Sequence, residues 1–384
     1  MILGRVEAWL RDIRTFEFPP EGNRLTLYAW FAVMRELFGF RPEFFYSVAI
    51  LVHLVNVWLL GRLLWLLTGR RDFACLGAIT FAVVQNPQEA VMWLSGLGDA
   101  LVGLFTLAAL HAWIKGRFLW SSLAYASALV SKESGLVLLV LVPLLDWTRS
   151  GQMRFRKQYL CLLPPTAGFL ALFLSTMQSN AYLSSGLYAF GPSGALTILN
   201  SAHRLAFPWL YLAFLVALAG HRLRWSREAA LFACWILTAL APYGFITYQN
   251  HVPSRSQYLA AMGLAGLLAL LVETMQSQRL RTAFVAVFVV VNIGYFWGVK
   301  DLQYLRRAAP TSRLIEELRT RAPGNLGISG FPSNPWIARE TARHVPGWRP
   351  EMLKVDEPCG PDCDQMRWNA RLERYEPAST GARR

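Results

Sequence analysis

The chain has 384 residues, 54% of them hydrophobic and 16% charged, and a formal net charge of +14. Soluble chains average ~45–50% apolar and ~25% charged residues, so an ordinary soluble domain is excluded, and the apolar blocks are too long for the ~10-residue alternating segments of a transmembrane barrel. No nucleic-acid-binding motif accompanies the positive charge, which reads instead as a set of membrane topology signals.

The first 42 residues carry six arginines and contain no signal peptide or first apolar span. Ten apolar segments follow, at about 44–67, 73–85, 99–114, 118–130, 135–146, 158–177, 196–220, 229–246, 258–272 and 282–299. A bilayer core of ~30 Å needs ~20 apolar residues per helix. These lengths predict an all-α integral membrane protein of about ten helices, two of them short and paired around 118–146. A single helix over 118–146 would hold Lys132 and Glu133 at mid-membrane, at a cost of ~2.5–3.5 kcal/mol for each charge. Two short helices meeting at Ser131-Lys132-Glu133-Ser134 avoid that cost.

The joints divide into two alternating sets. One holds Arg70, Arg71, Lys115, Arg117, Arg149, Arg154, Arg156, Lys157, Arg222, Arg224, Arg227, Arg279 and Arg281; the other holds only Lys132 and Arg255. The positive-inside rule places the first set in the cytoplasm. Both chain ends then fall outside the cytoplasmic membrane: residues 1–42 as an N-terminal stretch, residues 43–299 as the multispanning domain, and residues 300–384 as a small extracytoplasmic α/β tail. The tail shows a strand at 326–330 and an apolar helical pattern at 314–318. Cys359 and Cys363 would form a tight disulfide there, whereas Cys75, Cys161 and Cys234 lie in apolar segments and behave as small hydrophobes. A charged stretch of 42 residues with no span before it is awkward to translocate, so a preceding helix is expected to be missing from this sequence.

Polar residues of the outer joints are the candidates for chemistry. Arg24, Lys132 and Arg255 suit a phosphate held at the membrane surface. Glu89 and Asp99 suit a general base or metal ligand, and the metal requirement stays open. Glu133, His251 and Tyr258 are supporting residues, with Asn86, Gln88, Trp93, Gln249, Asn250 and Gln257 nearby. Structural roles compete with each assignment. Asp99 could cap a helix; Lys132 and Glu133 could pair locally; Glu89 could be a solvated loop carboxylate; Arg255 could anchor at the interface. His53 and Asn56, three residues apart in one segment, suit interhelical hydrogen bonding.

Four runs carry a resemblance. Asn86-Pro87-Gln88-Glu89-Ala90-Val91-Met92-Trp93-Leu94-Ser95-Gly96-Leu97-Gly98-Asp99-Ala100-Leu101 resembles the loop H-P-x-x-x-E-A-V-x-W-x-x-G-R-x-D-x-L. Leu129-Val130-Ser131-Lys132-Glu133 resembles the turn L-x-S-K-E, Ser254-Arg255-Ser256-Gln257-Tyr258-Leu259 resembles E-R-Y-L-Y-L-P, and Asn23-Arg24-Leu25 resembles Y-R-P-L. These motifs occur in GT-C class glycosyltransferases related to protein O-mannosyltransferases, including those with tetratricopeptide repeats. The resemblance covers roughly residues 23–272. It implies a polyprenyl-phosphate-sugar donor, sugar transfer on the outer face, a loop carboxylate as base or metal ligand, and basic residues on the lipid phosphate. The acceptor would be a glycan, lipid or protein. The sequence departs from the family at Asn86, where the motif has histidine, and at Leu97 or Gly98, where it has arginine. Of the family's acidic pair after the first span, only Asp12, Glu17 and Glu21 lie in the corresponding region, none in a matching motif. A lipid-linked-sugar transporter and an inactive truncated homologue are the alternatives.

Overall fold

The computed structural model describes residues 24–39, 41–177, 191–220, 226–246, 250–360 and 363–378. Gln249, Asp12, Glu17, Glu21, Arg222 and Arg224 lie outside the described residues. Two compact units divide the chain, one over residues 2–293 and one over 294–384.

The apolar segments contain helix, and the last, at about 282–299, runs past residue 293, where the first unit ends. Local signals set the ends. Pro42 opens the helix Pro42–Thr68 at a position where its missing N–H costs nothing, and Gly69 closes it in the left-handed conformation at φ 70°. Gly151 closes Leu138–Ser150 in the same way at φ 74°. Between Phe118–Leu129 and Leu138–Ser150 the chain breaks into a 3-10 turn at Glu133–Val137, with Lys132 extended. The junction at 131–134 is therefore a turn, and no helix runs through 118–146.

Helix lengths change the number of crossings. Among the described residues five helices are long and apolar enough to cross a membrane: Pro42–Thr68, Leu94–Ile114, Lys157–Ser175, Ser254–Glu273 and Gln278–Thr320. Ser193–Ala206 and Trp209–Ala219, bent by 72° at Pro208, make a sixth if they form one broken span. The helices Arg71–Val83, Phe118–Leu129, Leu138–Ser150 and Arg227–Leu240 have 12–14 residues, short of the ~20 a simple crossing needs. They survive at this length because neighbours shelter them.

Two helices form the interior. Tyr258–Glu273 and Leu97–Ile114 are buried along most of their length. Small residues let the others approach. A Cβ at Gly266 would lie 2.5 Å from the Phe232 ring, and one at Gly263 would lie 2.9 Å from the Phe232 carbonyl. The helix Arg227–Leu240 therefore sits directly on Tyr258–Glu273, as small residues permit in apolar surroundings. The outer helices reverse the soluble pattern. Pro42–Thr68 buries Asn56 along with Leu60, Leu63 and Leu64, and exposes Leu51, Leu54, Trp58 and Trp65. An apolar outer stripe of this extent suits lipid rather than water.

The stretch expected ahead of the bundle contributes to it. Leu25–Phe38 is a helix that buries Leu27, Tyr28, Phe31 and Met34 in the same core.

The second unit is a small α/β layer. Strands β1 (Leu326–Ser329), β2 (Leu353–Val355), β3 (Asp364–Asn369) and β4 (Arg374–Pro377) form one sheet in the order β2-β1-β3-β4. β1 pairs parallel with β2 and β3, and β4 pairs antiparallel with β3. The helices Leu302–Thr320 and Pro335–Ala342 cover it through Leu314, Leu318, Ala338 and Ala342. Trp348 Nε1 donates to the Leu318 carbonyl at 2.8 Å, and the Tyr375 hydroxyl donates to the Pro310 carbonyl at 3.0 Å. Cys359 and Cys363 are joined by a disulfide, with Cα atoms 5.8 Å apart, and Cys359 packs beside Gly327 of β1.

Candidate functional site

The four motif runs meet at one end of the bundle. The Asn86–Gly96 loop folds as a one-turn helix, Glu89–Met92, and a 3-10 turn, Leu94–Gly96. It delivers Asp99 to the first turn of Leu97–Ile114. The extended Lys132 and the 3-10 turn Ser254–Gln257 arrive beside it, the latter leading directly into Tyr258–Glu273.

Two ion pairs hold the runs together. Lys132 Nζ donates to both Asp99 oxygens, at 2.6 and 2.8 Å, with both side chains about 6% exposed. Arg255 faces Glu89 with its Nη1 3.9 Å from Oε2, and its backbone N–H lies 3.4 Å from the same oxygen. This second pair is more open, at 27% and 21% side-chain exposure. Arg255 also lies over the Trp93 ring, 4.5 Å from its centre. The two pairs are adjacent through Ser256, whose Oγ is 3.4 Å from Lys132 Nζ.

Hydroxyls and small residues close the arrangement. Ser254 Oγ donates to the Asn86 carbonyl and lies 3.3 Å from the Gln88 carboxamide. Thr26 Oγ1 donates to Ser131 Oγ at 2.7 Å, and its N–H reaches the Val130 carbonyl at 3.4 Å. A Cβ at Gly96 would lie 2.6 Å from the Glu89 carbonyl and 3.4 Å from Arg255 Cδ, so only glycine lets the loop close here. Arg24 precedes Leu25–Phe38, and the charges of Glu133 and then Asp99 act on its guanidinium.

Asp99 makes no cap: Gly96 occupies that place, and the carboxylate turns to Lys132. Lys132 pairs with Asp99, not with its neighbour Glu133. With all its close contacts inside the protein, Lys132 cannot reach a phosphate in this conformation, whereas Arg24 is exposed and Arg255 partly so. His53 and Asn56 do bridge helices. His53 Nδ1 lies 2.7 Å from the Tyr258 hydroxyl, and Asn56 Nδ2 donates to that hydroxyl at 3.0 Å and to the Ala100 carbonyl at 2.9 Å.

Three supporting residues are placed differently from one another. Tyr258, fully buried, belongs to the His53–Asn56 group and not to the charged cluster, because its position in the first turn of the helix aims it into the core. Glu133 contributes charge to Arg24 and Lys132. His251 is half-buried in the turn before Ser254, and among the described residues no hydrogen bond ties it to the cluster.

Tyr243 belongs to the cluster although its sequence gave no sign of it. Its hydroxyl donates to Asp99 Oδ1 at 3.4 Å, and Lys132 Nζ lies 4.9 Å from its ring centre. It sits at the end of an apolar segment, where an aromatic residue reads as part of the interfacial belt. Ser256 was hidden for another reason: a serine beside an arginine is unremarkable until the fold brings an ammonium to it.

Among the described residues no three His, Cys, Asp or Glu side chains are grouped as a metal site. No family model, curated protein or solved structure matches the chain.

Proposed function

We propose that this chain is a membrane glycosyltransferase of the GT-C type, which transfers a sugar from a polyprenyl-phosphate donor to an acceptor at the outer face of the cytoplasmic membrane. The observation that carries this reading is the convergence of four separate polar runs into one cluster at one end of an otherwise apolar bundle. Runs separated by 105, 124 and 166 residues touch there.

Accessibility divides the labour. Glu89 and Arg255 form the open edge, so Arg255 is the phosphate ligand and Glu89 the general base. Asp99, Lys132 and Tyr243 form the buried wall that holds this edge in place, and the exposed Arg24 stands with Arg255 as a second cation for the phosphate. In the reaction Glu89 takes the proton of the acceptor hydroxyl, whose oxygen bonds to the anomeric carbon. The bond from that carbon to the phosphate oxygen breaks, and polyprenyl phosphate leaves with the electron pair. Arg255 stabilises the charge on the departing phosphate, where a preorganised cation counts most. The outer placement is supported by the scarcity of cations in these joints and by the disulfide in the second unit, a bond of oxidising compartments.

The test is the full chain in liposomes, supplied with polyprenyl-phosphate sugars and assayed for released polyprenyl phosphate. Glu89→Gln should lower release by about 10²-fold or more at unchanged membrane yield. One observation favours a second reading, a non-catalytic member: Glu89 and Asp99 already face cations. Absence of release with any lipid-linked sugar, alongside retained donor binding, would select it.

A further inference from the structure

We propose that the opposite end of the bundle carries a site for the headgroup of an anionic phospholipid, formed by His111, Lys115, Arg117 and Trp120. This proposal rests on the bundle being membrane-embedded and not on the transferase reading. Asp99 lies in the first turn of Leu97–Ile114, and 15 residues on, at 1.5 Å each, the far end of the helix is about 23 Å from the charged cluster. At that end a cavity of about 370 Å³ is lined by Ala108, His111, Ala112, Lys115, Arg117 and Trp120.

Charge is the first argument. Arg70 and Arg156, also at this end, each face a carboxylate, Glu273 at 2.5 Å and Asp146 at 3.7 Å. Among the described residues neither Lys115 nor Arg117 has such a partner, and Arg62 of the neighbouring helix has only the Trp58 ring, 5.4 Å away. The charges of Arg62 and Lys115 both act on the His111 imidazole. Cations left unpaired around one cavity make a positive concavity that an anion would neutralise.

The second argument is His111 itself. It is buried, its Nδ1 lies 2.8 Å from the Leu107 carbonyl, and its Nε2 has no partner. A buried polar atom left unpaired costs about 1–3 kcal/mol; with Nδ1–H donating to the Leu107 carbonyl, Nε2 is an acceptor, and a small rotation of the ring toward the cavity would let a headgroup hydroxyl donate to it. Apolar surface selects a lipid over a soluble anion. Trp120 lines the cavity and is 64% exposed, and Leu119 beside it is 70% exposed. Acyl chains would cover these residues while the phosphate meets Lys115 and Arg117, as basic pockets between membrane helices do for acidic headgroups.

The experiment is native mass spectrometry of the full chain in neutral detergent, titrated with phosphatidylglycerol or phosphatidylcholine. Phosphatidylglycerol should be retained in preference to phosphatidylcholine, and about fivefold more weakly for each cation removed in Lys115→Gln and Arg117→Gln. Arg154→Gln, an exposed change at the same end, controls for general surface charge and should leave retention unchanged. Both target side chains are exposed, and thermal unfolding without lipid should match the parent. Equal retention of the two lipids would overturn the proposal. So would unchanged retention in Lys115→Gln and Arg117→Gln, or an equal loss in Arg154→Gln. Displacement of phosphatidylglycerol by millimolar inorganic phosphate would assign the site to a soluble anion and also overturn it.

Discussion

Lys132 and Asp99, 33 residues apart, meet with the ammonium bridging both carboxylate oxygens, and neither is open to solvent. Removing one partner from such a pair leaves the other charge buried alone, at a cost of about 3–5 kcal/mol. Lys132→Met and Asp99→Asn should each lower the unfolding temperature and membrane yield. Lys132→Met combined with Asp99→Leu should recover much of the loss, because no charge then remains buried. A double variant as unstable as the sum of the single ones would show that the two residues do not act as a pair.

The half-exposed pair should behave in the opposite way. Arg255→Ala is expected to change stability by under about 1 kcal/mol. If it holds the phosphate, it loses a charge-assisted hydrogen bond of about 1.5–3 kcal/mol, so donor use should fall roughly 10–100-fold. Arg255→Lys should restore charge without the planar stack on Trp93 and recover only part of the activity. Transfer at the parent rate in Arg255→Ala would remove it from the phosphate.

Gly96 sets the shape of the loop between these pairs. Gly96→Ala must displace the Glu89 backbone or the Arg255 stem, a misfit of about 1–3 kcal/mol. The expected signature is a loss of transfer with little change in global unfolding, since the strain falls on a loop.

The His53–Tyr258–Asn56 group should register on stability. Tyr258→Phe removes the hydroxyl that both partners use and should destabilise the bundle by about 1–3 kcal/mol. Thermal melts in detergent check this, and an unchanged melt would mean water replaces the hydroxyl.

Orientation has its own test. A single cysteine replacing Gln152, in a cysteine-free background, should resist a membrane-impermeant reagent in intact cells and react after permeabilisation. Labelling in intact cells would reverse the assignment of faces.

Much of the bundle was legible in the sequence. Apolar run length marked the chain as mostly helical with several apolar helices of crossing length, and the cost of burying Lys132 and Glu133 predicted the break at 131–134. The number of crossings was not legible. Run length does not reveal that Arg227–Leu240 ends after 14 residues in a 3-10 turn, or that Pro208 bends its pair of helices. For the site, the charges of Glu89, Asp99, Lys132 and Arg255 could be assigned to one face from loop alternation alone. Their partners could not. Pairing Lys132 with Asp99 in preference to its neighbour Glu133 depends on how Leu97–Ile114 lies against the turn at 131–134. Tyr258 shows the same limit: its place in an outer motif says nothing about which way the first turn of its helix faces.

The order of elements around the cluster has an electrostatic consequence. Leu97–Ile114 and Tyr258–Glu273 both begin there, and Leu138–Ser150 begins one 3-10 turn beyond Lys132. Aligned peptide dipoles give each helix start a partial positive charge of roughly half a unit. Three such ends directed at one place add a field fixed in the backbone, independent of any side-chain rotamer. Asp99, in the first turn of its helix, is stabilised by that field as well as by Lys132. An incoming phosphate would meet the same field without any reorganisation of the protein.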